Sequence, residues 1–193
     1  MSEEKRAVHK WLIGTLTGAL LCGAVALNPL HAQNQADQFH ADHQQQHQNS
    51  KLVEDVRNAT KQFLDVNNAG PAGYEPAFGC VSGPDHGAMG IHYVNGAQVK
   101  KNEIELEYPQ ALIYEPVGNK RQLVGVEYIV DMKKWLKDHD GATPSLDGQD
   151  FQLVGSPNRF ALDPFFELHV WAWRENPQGA YVDWNNHVSC EGE

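Results

Sequence analysis

The stretch Phe165-Phe166-Glu167-Leu168-His169-Val170-Trp171-Ala172-Trp173 has a period of two, the repeat of a strand rather than a helix. Leu168, Val170 and Ala172 fill one face. Glu167, His169, Trp171 and Trp173 share the other. Side chains two residues apart on a strand point the same way, about 6–7 Å apart. A glutamate and a histidine among tryptophans mark a face that meets something other than bulk water.

The same period recurs upstream. Strands are expected at Met89–Val94, Ala111–Glu115, Leu123–Val130 and Phe151–Val154, with a last one at Tyr181–Trp184. Turn-forming groups separate them, as at Gly83-Pro84-Asp85, Val94-Asn95-Gly96, Pro116-Val117-Gly118-Asn119 and Ser156-Pro157-Asn158. Residues Glu115 to Leu123 read as a hairpin. Met132, Trp135 and Leu136 suit a short helix over Asp131–Asp138. Ahead of the strands, residues 51–67 have helical period: Leu52, Val53, Val56, Ala59, Phe63, Leu64 and Val66 gather on one side. Ser50 or Asn49 caps this helix, and the Asn-Asn-Ala-Gly-Pro run at 67–71 ends it. The expected fold is therefore mainly β, of α+β type. It is a small barrel or strongly bent antiparallel sheet of five to six strands, with the 51–69 helix packed on a β-rich domain of residues 70–193.

Alternation also assigns the ionisable groups to faces. In Leu123–Val130, Glu127 lies with Leu123, Gly125 and Ile129, opposite Val124, Val126, Tyr128 and Val130. Both faces are apolar, so Glu127 is expected to be buried. A buried carboxylate must pair, protonate or bind a cation. His92 shares a face with Gly90 and Val94, and Glu115 with Ala111 and Ile113. If these faces turn inward, His92, Glu127 and His169 converge, with His86 at the mouth and Glu115 and Glu167 as further candidates. Two or three histidines and a carboxylate suit a divalent transition metal: zinc, iron, manganese or copper. Trp171, Trp173 and Tyr128 are candidates to wall the pocket and to stack a flat small molecule. That ligand set resembles the one used by cupins, which implies a small double-sheet barrel, though no His-x-His occurs here. The runs HGAMGIHYVN, LVGVEY and ELHVWAW are also similar to motifs of small secreted bacterial proteins of undescribed function, which implies export.

The N-terminus supports export independently. Lys5, Arg6 and Lys10 precede an uncharged run from Trp11, and Leu30-His31-Ala32 offers a small residue for cleavage. Residues 1–32 read as a signal peptide, with an uncleaved anchor over Trp11 to Leu30 as the alternative. Removal of the signal peptide would leave no stable membrane association, and the expected location is periplasmic or secreted. Residues 33–50 are rich in Gln, Asn and His and lack the apolar residues a core needs, so a disordered linker is expected. His40, His43 and His47 there could gather a metal loosely. The net charge of −10 repels phosphate backbones and excludes nucleic acid as a natural partner. Cys80 and Cys190 are the two cysteines beyond the leader. An even pair in an exported chain suggests one disulfide. No nucleophile elbow, phosphate loop or dinucleotide fingerprint occurs. Three readings stay open: a metal-binding protein, of which a metal-dependent enzyme is one form; a non-catalytic small-ligand module; and a purely structural, disulfide-tied domain.

Overall fold

A computed structural model describes residues 50–193. The signal-peptide reading of 1–32, and all of the Gln/His-rich tract except Ser50, lie outside the described residues.

Helix α1 (Lys51–Thr60) starts at Ser50, whose backbone is extended and whose hydroxyl accepts from the Val53 amide at 3.3 Å. This is an ordinary N-cap. Its apolar side, Leu52, Val53 and Val56, is buried. The helix is shorter than its period suggests. The Thr60 hydroxyl donates back to the Val56 carbonyl at 2.7 Å, a contact that weakens helix continuation. Beyond it the chain follows three short 3-10 turns, at Lys61–Leu64, Val66–Asn68 and Gly70–Ala72.

Eight strands follow. β1 (Glu75–Gly83), β2 (Gly87–Val94), β3 (Ala111–Val117), β4 (Lys120–Asp131), β7 (Gln152–Val154) and β8 (Phe165–Val170) form one antiparallel sheet in the order β1-β2-β3-β4-β8-β7. The sheet curls into a half-barrel, with α1 packed against it. β5 (Ser145–Leu146) and β6 (Gln149–Asp150) make a separate two-stranded ribbon. Helices α2 (Gly96–Lys101) and α3 (Met132–Asp138) occupy connections, capped by the Asn95 and Asp131 side chains. The mainly β architecture with a packed helix is thus the one expected.

Each face of the sheet has its own core. On the α1 side lie Leu112, Tyr114, Val126, Tyr128, Val130, Phe166, Leu168 and Val170, against Leu52, Val53, Val56 and Phe63. On the other side Ile113, Val124 and Trp171 pack with Ala88 and Val188. The C-terminal segment runs across this second face. Asn185 bridges to Ala88, and Cys190 is joined to Cys80 by a disulfide.

Four details differ from the sequence expectation. β1 escaped detection because it is bulged: Phe78 and Gly79, both at positive φ, fall between the Ala77–His92 and Cys80–Ile91 pairs. Such an insertion destroys strict alternation. A second irregularity falls at Val124, which is skipped between the Ile113–Gly125 and Tyr114–Leu123 pairs. It turns Leu123 toward α1, away from the Glu127 face. β8 ends at Val170, because the Ala172 amide folds back onto the Val170 carbonyl at 2.8 Å and those of Trp173 and Arg174 onto Val124. Finally, Tyr181–Trp184 is not a strand. It is an irregular segment held beside Trp171 by the Trp171 amide to Ala180 carbonyl bond of 2.9 Å.

Candidate metal site

Four antiparallel strands position the ionisable groups of the second face. Glu127 on β4 stands directly opposite His169 on β8 and Ala111 on β3. His92 on β2 stands opposite Ile113 on β3. β2 and β4 flank β3, so about 10 Å separates their backbones. The small side chain of Ala111 leaves space above β3. His92 and Glu127 meet there, Nε2 to Oε2, at 3.4 Å. The His92 and His169 rings lie 6.0 Å apart and perpendicular. Glu167 precedes His169 by two residues on the same face, opposite Ile129.

All four side chains are buried: His92 at 4 %, Glu127 at 4 %, Glu167 at 3 % and His169 at 1 % exposure. Burial disfavours the charged form of each group. It lowers His92 to about 3, helped by the neighbouring His169, and lowers His169 to about 4. It raises Glu127 well above the usual carboxylate range, reinforced by Glu167, and raises Glu167 to about 7. The two carboxyls are close enough for each to shift the other's titration. At neutral pH the histidines are therefore neutral, and the carboxyl pair retains a proton. The His92–Glu127 contact is then not an ion pair, and at 3.4 Å it is a polar contact outside the usual hydrogen-bond range.

The polar accounting is incomplete. Both ring nitrogens of His169 have no hydrogen-bond partner; Nδ1 of His92 has none of normal geometry, although the Gly90 backbone is near enough to favour the protonated ring. Buried polar atoms are rarely left so. His169 Nδ1 points toward Asp183 Oδ1 at 3.7 Å. Two sets of three have ligand atoms mutually within 4.8 Å: His92, Glu127 and His169; and Glu167, His169 and Asp183.

A small cavity of about 40 Å³ opens beside His92 and Glu127, lined by Phe78, Val94, Ile129, Phe160, Leu162 and Phe165. It accommodates a water or two, not a flat organic ligand. The β1 bulge presents Phe78, whose ring lies 5.2 Å from Phe160. The Asn158 side chain holds the Phe160 loop by bonding Gly155, Phe160 and Leu162 backbone groups.

The other residues singled out in the sequence lie elsewhere. His86 is exposed in the β1–β2 turn, six residues or about 20 Å of strand from His92. Glu115 is buried but bound by the Arg174 guanidinium and the Ser189 amide. It stands four residues, about 13 Å, beyond the level of Glu127. Tyr128 belongs to the α1 side, its hydroxyl donating to the Leu106 carbonyl at 2.7 Å. Trp173 also sits there, its indole donating to Thr60 at 3.1 Å, because the chain bends after Val170. Trp171 alone of the three stays at the site, stacked on His169 with ring centroids 6.0 Å apart. Asp183 was missed. Its segment carries no strand pairing, and no local pattern announces a residue brought in by a loop.

No family model matches the chain, and neither a curated protein nor a solved structure is detectably similar to it.

Proposed function

We propose that this is an exported metal-binding protein that holds a divalent transition metal through His92, Glu127 and His169. The observation that carries the reading is a buried pair of imidazoles, one of them, His169, with neither ring nitrogen partnered, converging with a carboxyl group to within 4.8 Å. A purely structural role calls for these groups to be paired or apart. A ligand-stacking module calls for a larger cavity than about 40 Å³. Neutral histidine is the ligating form, and a cation would draw the proton off Glu127. Two histidines and one carboxylate suit zinc, iron, manganese or copper, and leave coordination positions for water or substrate, as catalytic sites do. With zinc or a similar ion, such a site supplies Lewis acidity or an activated water. The apolar rim of Phe78, Phe160 and Leu162 then restricts access to very small molecules.

The Cys80–Cys190 disulfide indicates an oxidising, extracytoplasmic setting. Together with the leader-like N-terminus it supports a periplasmic or secreted location. Among the described residues no helix is long and apolar enough to cross a membrane.

Elemental analysis of protein purified without a histidine tag tests the proposal, paired with chelation. Bound metal at about a thousand times its Kd stabilises by about 4 kcal/mol. Its removal should then lower Tm by roughly 10–20 °C. Protein lacking stoichiometric metal, with a Tm indifferent to chelator and to added zinc, manganese, iron or copper, overturns it.

A further inference from the structure

We infer that His169 serves two cations at once, so that the site is a two-metal centre in which Glu167 and Asp183 complete a second position. This rests on the metal-binding reading above and extends it. His169 belongs to both ligand sets, His92–Glu127–His169 and Glu167–His169–Asp183. An imidazole has two ring nitrogens that diverge, and it can offer one to each ion. Both are buried here without a hydrogen-bond partner. A histidine that ligates a single metal ordinarily donates its other N–H to a carboxylate, carbonyl or water. Here Nδ1 has Asp183 Oδ1 at 3.7 Å, beyond hydrogen-bond range but suitable for an ion shared between them.

The two positions differ in character. The first is closed off, with all three ligands buried. The second is rimmed by Asp183, whose side chain is 28 % exposed. Asp183 is oriented by Gln152, whose amide donates to Oδ1 at 3.0 Å. Glu127 and Glu167 contribute one neighbouring carboxyl to each set. Charge supports double occupancy. Two divalent cations carry +4. Ionised Glu127, Glu167 and Asp183, with His169 deprotonated at both nitrogens, carry −4. Loading therefore releases the carboxyl and imidazole protons to solvent and leaves a neutral buried cluster, which a low-dielectric interior tolerates far better than an isolated charge.

The test counts zinc ions per chain after metal removal and reloading, on the full exported chain without a tag. Differences between variants are read, so that any zinc held by the Gln/His-rich tract cancels. Relative to the wild-type chain, Asp183→Ala and His92→Ala should each lose one zinc, and His169→Ala two. Asp183→Asn, with circular dichroism on every variant, guards against a folding defect in Asp183→Ala. A loss of one zinc by His169→Ala, or no loss by either folded Asp183 variant, overturns the two-metal centre while leaving the first position intact. No loss by His92→Ala and His169→Ala overturns both.

Discussion

His92, His169, Glu127 and Glu167 pull the pH dependence of the metal-free domain in opposite directions. The histidines are held below their ordinary value of 6.5, at about 3 and 4. Between those values the unfolded chain binds more protons, so stability falls as pH drops. The glutamates are held above their ordinary 4.5. There the folded chain binds more protons, so stability falls as pH rises through 7. The effects oppose each other between about 4.5 and 6.5, and the metal-free domain should be most stable there. Above pH 7 only the carboxyl effect remains. One group contributes a slope of up to about 1.4 kcal/mol per pH unit. Glu127→Gln should therefore flatten the stability decline between pH 7 and 8.5, as measured by urea unfolding with chelator present. A slope equal to wild type contradicts the burial-driven shift. Saturating metal should reverse the trend, because it favours the ionised carboxylates.

At the scale of elements, the site depends on irregular strands as much as on regular ones. The bulge at Val124 places Gly125 where β4 meets the bend after Val170. A Cβ on Gly125 would lie 2.8 Å from the Val170 carbonyl oxygen, inside contact distance of backbone. Gly125→Ala should destabilise by about 1–3 kcal/mol through overpacking and push β8, with His169, away from Glu127. Lowered Cm in urea together with weakened zinc affinity is the expected result. Unchanged affinity would mean that the strand separation does not control the site. α1 contributes differently. Its buried side and the Thr60–Trp173 bond hold the far face of the sheet, opposite the one that carries His92, Glu127 and His169.

For the whole molecule, the Cys80–Cys190 link joins the bulged first strand to the C-terminal segment across a separation of 110 residues. On the chain-entropy model a loop of this length stabilises by about 4.7 kcal/mol. Reduction, or Cys80→Ser with Cys190→Ser, should lower thermal stability by roughly that amount. It should also weaken the Asp183 side of the site most, because the C-terminal segment supplies Asp183. A double-serine variant that melts like wild type would assign that anchoring to Asn185 and Val188 instead.

The sequence alone determined what depends on local order. Alternation disclosed β2, β3, β4 and β8 and put Glu127 and His169 on apolar strands, where burial follows from their neighbours. Helical period and a cap disclosed α1 at its N-terminal end. Tertiary structure decided what depends on register and on chain segments without period. A bulge cancels alternation, so β1 and the turning of Leu123 were hidden, and the bend after Val170 hid the exit of Trp173 from the pocket face. Position along a strand, invisible to face assignment, set His86 and Glu115 apart from the cluster. Asp183 reaches His169 through an aperiodic loop held by long-range hydrogen bonds, and no local pattern encodes such an approach.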